Sequence, residues 1–275
     1  MLLLMLTATI AQQCTRNAYA ILATNDNAWC GAHVLALSLI DTNTSNDIVI
    51  MHYGDVHRRQ YAGVKYEKVT PAKALGNGQW KDTYSKFWAG RLVRYCYVML
   101  LDADNIVLRN MDHLFALGEY SYAAPLAYWL SRGFLQTGVV VMKPSTTLFS
   151  DVLENSHGKY LEDMDYFNRR HGSRTKHLHP RYNTLIGQWY PRDRIYNYVT
   201  KDVYSVHFVA EWKPYKFTSW SLLDAPGREI YNRWWTYARQ VECASRIRAL
   251  DPGPTTKGAI KGATSVRANS APRGR

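Results

Sequence analysis

The stretch Val98-Met99-Leu100-Leu101-Asp102-Ala103-Asp104 runs four apolar residues straight into two carboxylates one residue apart. A run this short, with Tyr95 and Tyr97 leading into it, reads as a buried β-strand and not as a helix. The point where such a strand leaves the sheet is where open α/β folds bind their ligands. Residues i and i+2 share a side of an extended chain, so Asp102 and Asp104 can reach one divalent cation. Hard oxygen ligands suit Mg²⁺ or Mn²⁺, which keep further positions for phosphate oxygens. A second Asp-x-Asp, Asp163-Met164-Asp165, has no apolar strand before it and matches a common turn sequence.

The segments around this strand alternate in type. Tyr19–Ala23 reads as a first strand, with Thr24-Asn25-Asp26-Asn27 as a turn and helix cap. Residues 32–40 (AHVLALSLI) read as a helix, 47–51 as a second strand and 65–69 as a third. Tyr84 to Tyr95 reads as a helix leading to the central strand, 97–101. Gly138–Met142 is another buried strand, Lys143-Pro144-Ser145 opens a helix, and Val203–Val209 returns as a strand. Residues 157–194, polar, basic and rich in His, carry no firm assignment. The alternation predicts an α/β fold with a mostly parallel, doubly wound sheet, flanking helices and a single domain over 18–250.

At 275 residues the chain can bury a sizeable core. Met1–Ala11 (MLLLMLTATIA) is too short to span a bilayer. With residues 1–17 it reads as a signal peptide lacking a basic start, or as an N-terminal extension; the secretory lumen is the favoured location over the cytoplasm. Residues 251–275, rich in Pro, Gly, Ser, Thr and Lys/Arg, read as a disordered basic tail. The net charge of +12 favours anionic ligands such as nucleotide diphosphates, or an anionic membrane surface. No zinc-finger spacing, RNA-recognition signature or basic-region heptad is present, which argues against nucleic acid. Cys14, Cys30, Cys96 and Cys243 form no CxxC pair, which argues against structural zinc and against a disulfide framework; Cys96 reads as a buried thiol.

Five separated blocks, in order from Tyr19 to Tyr215, are similar to the glycogenin-like family 8 glycosyltransferases, retaining enzymes of GT-A fold that use UDP-sugars. Leu22-Ala23-Thr24-Asn25-Asp26 resembles the family's LTTND. The resemblance implies that Leu22, Thr24 and Asn25 contact uracil and ribose. The family's stacking Tyr is Ala28 here, with Trp29 beside it. Tyr84-Ser85-Lys86-Phe87-Trp88 resembles the TKL helix, implying that Lys86 reaches the donor sugar or its phosphate. Leu101-Asp102-Ala103-Asp104-Asn105-Ile106-Val107-Leu108, with Asn110-Met111-Asp112-His113-Leu114-Phe115, is similar to LDADTLVL…NIDDLF. It implies Mn²⁺ (or Mg²⁺) on Asp102 and Asp104, with Asp102 also near the ribose. Gln136-Thr137-Gly138 and the strand after it resemble NSGVFVYQPS, implying that Gln136 stands for the Asn that touches the donor sugar. Val206-His207-Phe208…Lys213-Pro214-Tyr215 resembles VHFxGxxKPW, implying His207 as the third metal ligand and Lys213 as the diphosphate partner. A family Gly is Ala210 here.

Asp163-Met164-Asp165-Tyr166-Phe167-Asn168 stands where the family has GGDQGxLN. On the resemblance Asp163 lies near the reacting sugar, in a positioning or electrostatic role. Arg181-Tyr182-Asn183 resembles the family's YN element. The implied reaction moves a hexose from a UDP-sugar to an acceptor hydroxyl with retention. The acceptor stays open among a glycan, an inositol-type headgroup and a protein tyrosine, for which Tyr190 is a counterpart by position. A catalytically silent UDP- or glycan-binding protein and a self-glucosylating initiator are the alternatives. The donor sugar and the oligomeric state are not legible in the sequence.

Overall fold

The computed structural model describes residues 14–241 and 243, apart from 54–59, 73–82, 117, 131–132, 156–161, 191–199 and 218–219. The apolar run 1–11 and the tail 251–275 lie outside the described residues. Strand β1 (Ala18–Ala23) feeds helix α1 (Asp26–Asp41), then β2 (Asp47–His52) and β3 (Lys65–Lys68) follow. Next come β4 (Val98–Leu101), β5 (Asn105–Val107), β6 (Tyr122–Pro125) and β7 (Val139–Met142). Helices α2 (Thr146–Asn155) and α3 (Asp163–His171) precede β8 (Thr175–Leu178), β9 (Thr184–Leu185) and β10 (Ser205–His207), and α4 (Ala225–Gln240) closes the fold.

The main sheet has the order β3-β2-β1-β4-β7-β6-β8. β1 pairs in parallel with β2 and β4, β2 with β3, and β6 with β8, whereas β7 runs antiparallel to both its neighbours. The sheet is thus mostly parallel, as expected, with β7 its single reversed strand. Alternation along β1 sends Tyr19, Ile21 and Ala23 to the face that α1 covers and Ala18 and Ala20 to the other, under Phe87, Phe149 and Phe167. Every residue of β4 and β7 is buried, as strands covered on both faces require. Helix α1 starts where Asn25 accepts the Ala28 amide at 3.0 Å. Helix α4 starts where Asp224 accepts that of Gly227 at 3.1 Å. α4 lays Ile230, Tyr231, Trp234 and Trp235 on a third cluster with Val34, Ile106, Val206 and Phe208.

Two local expectations are corrected. The segment before β4 is a 3₁₀ helix over Thr83–Arg91 followed by single turns at Leu92 and Tyr95, not one helix from Tyr84 to Tyr95. Cys96 is no free thiol: it forms a disulfide with Cys14, 82 residues away, clamping the chain entering β1 to the chain entering β4. Cys14 and Cys96 sit at the ends of neighbouring parallel strands, a proximity that only the sheet creates. Cys30 and Cys243 are free. Residues 157–194 hold α3, the edge strand β8 and β9. No described helix is long and apolar enough to cross a membrane.

Candidate active site

A second, three-stranded sheet of order β5-β10-β9 assembles the site. Asp102 and Asp104 lie between β4 and β5. β10 pairs antiparallel with β5 so that His207 stands opposite Asn105. The Phe208 amide donates to the Asp104 carbonyl at 2.9 Å. This register carries a histidine 103 residues downstream to the acidic pair. His207 Nε2 lies 3.0 Å from Asp104 Oδ1 and 3.9 Å from Asp102 Oδ2. The three side chains each offer a ligand atom, all within 4.8 Å of one another. Two carboxylates and an imidazole leave three octahedral positions, which fits a hard divalent cation with room for phosphate oxygens.

The loop that aims the carboxylates is fixed from below by Asn105, which is fully buried. Its side-chain amide donates to the Asp102 carbonyl at 3.1 Å and the Gly138 carbonyl at 3.0 Å. The Asp102 amide also donates to Gly138, at 3.1 Å. Helix α1 presses against the same loop at Gly31, where a Cβ would meet the Ala103 carbonyl at 2.4 Å.

Two lysines flank the acids. Lys213 Nζ donates to Asp104 Oδ2. Burial alone would lower the Lys213 pKa, but Asp104 outweighs it and holds the ammonium above its ordinary value. Burial likewise pushes Asp104 up, yet His207 and Lys213 hold its carboxyl far below the usual carboxylate range. Lys86, on the 3₁₀ helix, is 5% exposed and sits 3.0 Å from Asp102 Oδ1 and 2.7 Å from Asp163 Oδ2. It also donates to the Thr137 carbonyl at 3.2 Å. Burial would depress its pKa, and the two aspartates reverse that and hold it charged. Asp102 is nevertheless raised, by burial first, because Lys86 and His207 offset that only in part.

The site thus gathers Lys86, Asp102, Asp104, Asp163, His207 and Lys213, all expected from the sequence. Asp163 opens α3 behind Glu162, so Asp163-Met164-Asp165 is a helix start, and Asp163 also accepts the Thr137 hydroxyl. Leu22, Thr24 and Asn25 occupy the same sheet edge, since Ile21 of β1 pairs with Leu101 of β4. Asn25 is occupied in capping α1. Trp29 is 6% exposed and packs against His33, His52 and Tyr66, inside the core and not beside an open uracil seat. Gln136 is 2% exposed, with its amide donating to the Leu126 and Asn183 carbonyls at 3.2 and 3.0 Å. Thr137 and Asn105 escaped sequence reasoning. They stand inside the quoted motifs with nothing local to mark a role, since Thr137 meets Asp163 and Lys86, 26 and 51 residues away, and Asn105 meets Gly138, 33 away.

No family model matches the chain. UDP-glucuronate:xylan alpha-glucuronosyltransferase 2 of Arabidopsis thaliana is 27% identical over 229 residues, covering 73% of this chain and 36% of that protein. Glycogenin-1 of Caenorhabditis elegans is 26% identical over 219 residues, covering 72% of this chain and 50% of its own. The chain is similar to glycogenin-like family 8 glycosyltransferases over nearly three quarters of its length. It spans half or less of the length of these two relatives. Among solved structures, the galactosyltransferase LgtC, determined with donor and acceptor sugar analogues, superposes with a TM-score of 0.59 at 16% identity, over 81% of this chain and 95% of LgtC. That likeness identifies the fold as GT-A.

Proposed function

We propose that this chain transfers a hexose from a UDP-sugar to an acceptor hydroxyl with retention of configuration. The convergence of Asp102, Asp104 and His207 within 4.8 Å, with Lys213 on Asp104, carries the reading. A divalent cation held by these three, Mn²⁺ or Mg²⁺, would neutralise the diphosphate and stabilise the charge on departing UDP. Lys213 is a permanently charged donor at the same place and supplies electrostatic stabilisation to a leaving phosphate. Leu22, Thr24 and Asn25, at the neighbouring strand end, offer the nucleoside its seat. Asp163 is engaged by Lys86 and Thr137, an arrangement that suits orienting the donor sugar electrostatically rather than attacking it. Gln136, with its amide donating to two backbone carbonyls, shapes the wall of that pocket.

The acceptor is a glycan, an inositol-type headgroup or a protein tyrosine. The Cys14–Cys96 disulfide supports a compartment that permits disulfides, in keeping with the secretory lumen. The test is UDP release from a panel of UDP-sugars with Mn²⁺, for the unaltered chain and Asp104→Asn. Release from one donor, lost in the variant, is the expected result. Label retained on the protein would identify self-glycosylation. Binding of UDP and Mn²⁺ with no release, across donors and with glycan and inositol acceptors added, would refute the transferase reading in favour of a silent binding protein.

A further inference from the structure

We propose that Cys30 and Cys243 are a second disulfide-forming pair of this chain, closed by exchange with an external disulfide of the glutathione class. They are the two cysteines left once Cys14 and Cys96 have paired. The packing of α4 against α1 brings them together. Tyr237, in the last turn of α4, donates its hydroxyl to Asp41 Oδ2 at 2.6 Å, at the C-terminal end of α1. Four residues on, the Val241 carbonyl accepts the Tyr61 hydroxyl at 2.7 Å, and the Tyr61 ring lies 4.8 Å from that of His33, midway along α1. The chain leaving α4 thus runs back towards the start of α1, and Cys243 lies two residues further in that direction. Cys30 and Val34, one turn apart on one face of α1, share a buried cluster with Ile230 and Val241, and Cys243 packs against that cluster. The two thiols meet there, with Cys243 the hydrogen-bonding partner of Cys30.

A disulfide needs two sulfurs in contact and a reagent that takes two electrons. The packing supplies the contact. The Cys14–Cys96 bridge belongs to surroundings that permit disulfides, and such surroundings supply the reagent. Cys30 is 3% exposed, whereas Cys243 is only partly buried and is the sulfur that an outside disulfide can reach. The Cys243 thiolate attacks that disulfide, forming a mixed disulfide and releasing one glutathione thiolate. The Cys30 thiolate then attacks the Cys243 sulfur, forming the Cys30–Cys243 bond and releasing the second glutathione thiolate. The two protons lost by the cysteines pass to the two released thiolates. The cysteines are oxidised by two electrons and the external disulfide is reduced by two. Closed, the bond fastens the end of α4 to the residue beside Gly31, whose Cα backs the Ala103 carbonyl between the two aspartates. Tyr215, two residues past Lys213, packs on the same cluster, so the bridge braces the candidate site from two sides.

The test is a thiol map of the folded full chain after equilibration with glutathione disulfide. The reaction is quenched with iodoacetamide in denaturant and read by peptide mass spectrometry without reductant. A peptide linked through Cys30 and Cys243 is expected, in about tenfold or greater excess over the open form. Cys30→Ser should stop the exchange at a glutathione adduct on Cys243. Recovery of Cys30 and Cys243 alkylated from the unaltered chain would overturn the proposal. So would a glutathione adduct that persists on Cys243 while Cys30 is present, or either cysteine linked to Cys14 or Cys96. The unaltered chain alone decides these outcomes, whether or not the variant folds. As a second readout, the oxidised unaltered chain should unfold at a higher denaturant concentration than Cys243→Ser under the same conditions. Equal midpoints would contradict a bond that holds α4 to α1.

Discussion

Lys86 lies between two carboxylates that burial has largely removed from water, and Lys86→Met tests that arrangement most severely. The ammonium sits 2.7 Å from Asp163 and 3.0 Å from Asp102, with Lys86 and Asp163 side chains only 7% and 8% exposed. Breaking a buried ion pair by removing one partner typically costs about 3–5 kcal/mol, because the other charge remains buried and uncompensated. Asp102 is 26% exposed at its side chain and recovers part of its hydration, so the lower half of that range, about 3 kcal/mol, is expected. Without Lys86, burial holds the Asp102 carboxyl further above its ordinary value. The variant's deficit is therefore greatest near neutrality and shrinks as pH falls towards 4. Adding Asp163→Asn should return at least about 2 kcal/mol, as coupled neighbours do. Urea unfolding followed by tryptophan fluorescence, on both variants and the unaltered chain at pH 7 and 5, makes the measurement. A loss under 1 kcal/mol for Lys86→Met, or no recovery in the double variant, would refute the reasoning.

Three further outcomes are expected. His171 packs against Tyr122, Tyr166 and Phe167 with neither ring nitrogen hydrogen-bonded among the described residues, and burial pulls it down to about 4 from 6.5. Its folded value is below its unfolded one, so the unfolded chain binds the extra proton and stability falls as pH drops from 6.5 to 4. The loss attributable to this residue is about 3 kcal/mol, and His171→Leu should flatten that part of the stability–pH curve; an unchanged slope would contradict it. The Cys14–Cys96 bridge closes a loop of 82 residues' separation, and Cys96→Ser should lower stability by about 4 kcal/mol in denaturant titrations. Ala210 holds φ at +49°, where a side chain costs about 1 kcal/mol, so Ala210→Gly should raise the denaturation midpoint by a corresponding amount.

What was legible in the sequence was what local pattern encodes. The apolar runs at β1, β2, β4 and β7 and the Asp-x-Asp at a strand end were all readable, because burial on both faces leaves few polar residues inside such strands. His207 and Lys213 were reachable only through resemblance to a family, since nothing local in Val206-His207-Phe208 says that it will pair with Asn105. The reversed direction of β7 was hidden for the same reason: strand direction is set by connections, not by composition. The disulfide was missed because 82 residues separate its cysteines and no spacing rule joins them. The Lys86 helix was read too long because its apolar residues, Phe87, Ala89 and Leu92, continue past the turn where its hydrogen bonding stops. Asn183 was seen as part of a motif, but its contacts with Gln136 and His207 required the small sheet.

The proposed site requires the acidic pair and His207 to act together on a cation and a diphosphate. The direct measurement is isothermal titration of UDP into the full chain with and without Mn²⁺, for the unaltered protein, Asp104→Asn and His207→Ala. UDP binding that needs Mn²⁺ and weakens at least tenfold in both variants is the predicted result. UDP binding that ignores Mn²⁺, or that survives both substitutions unchanged, would contradict the proposed site.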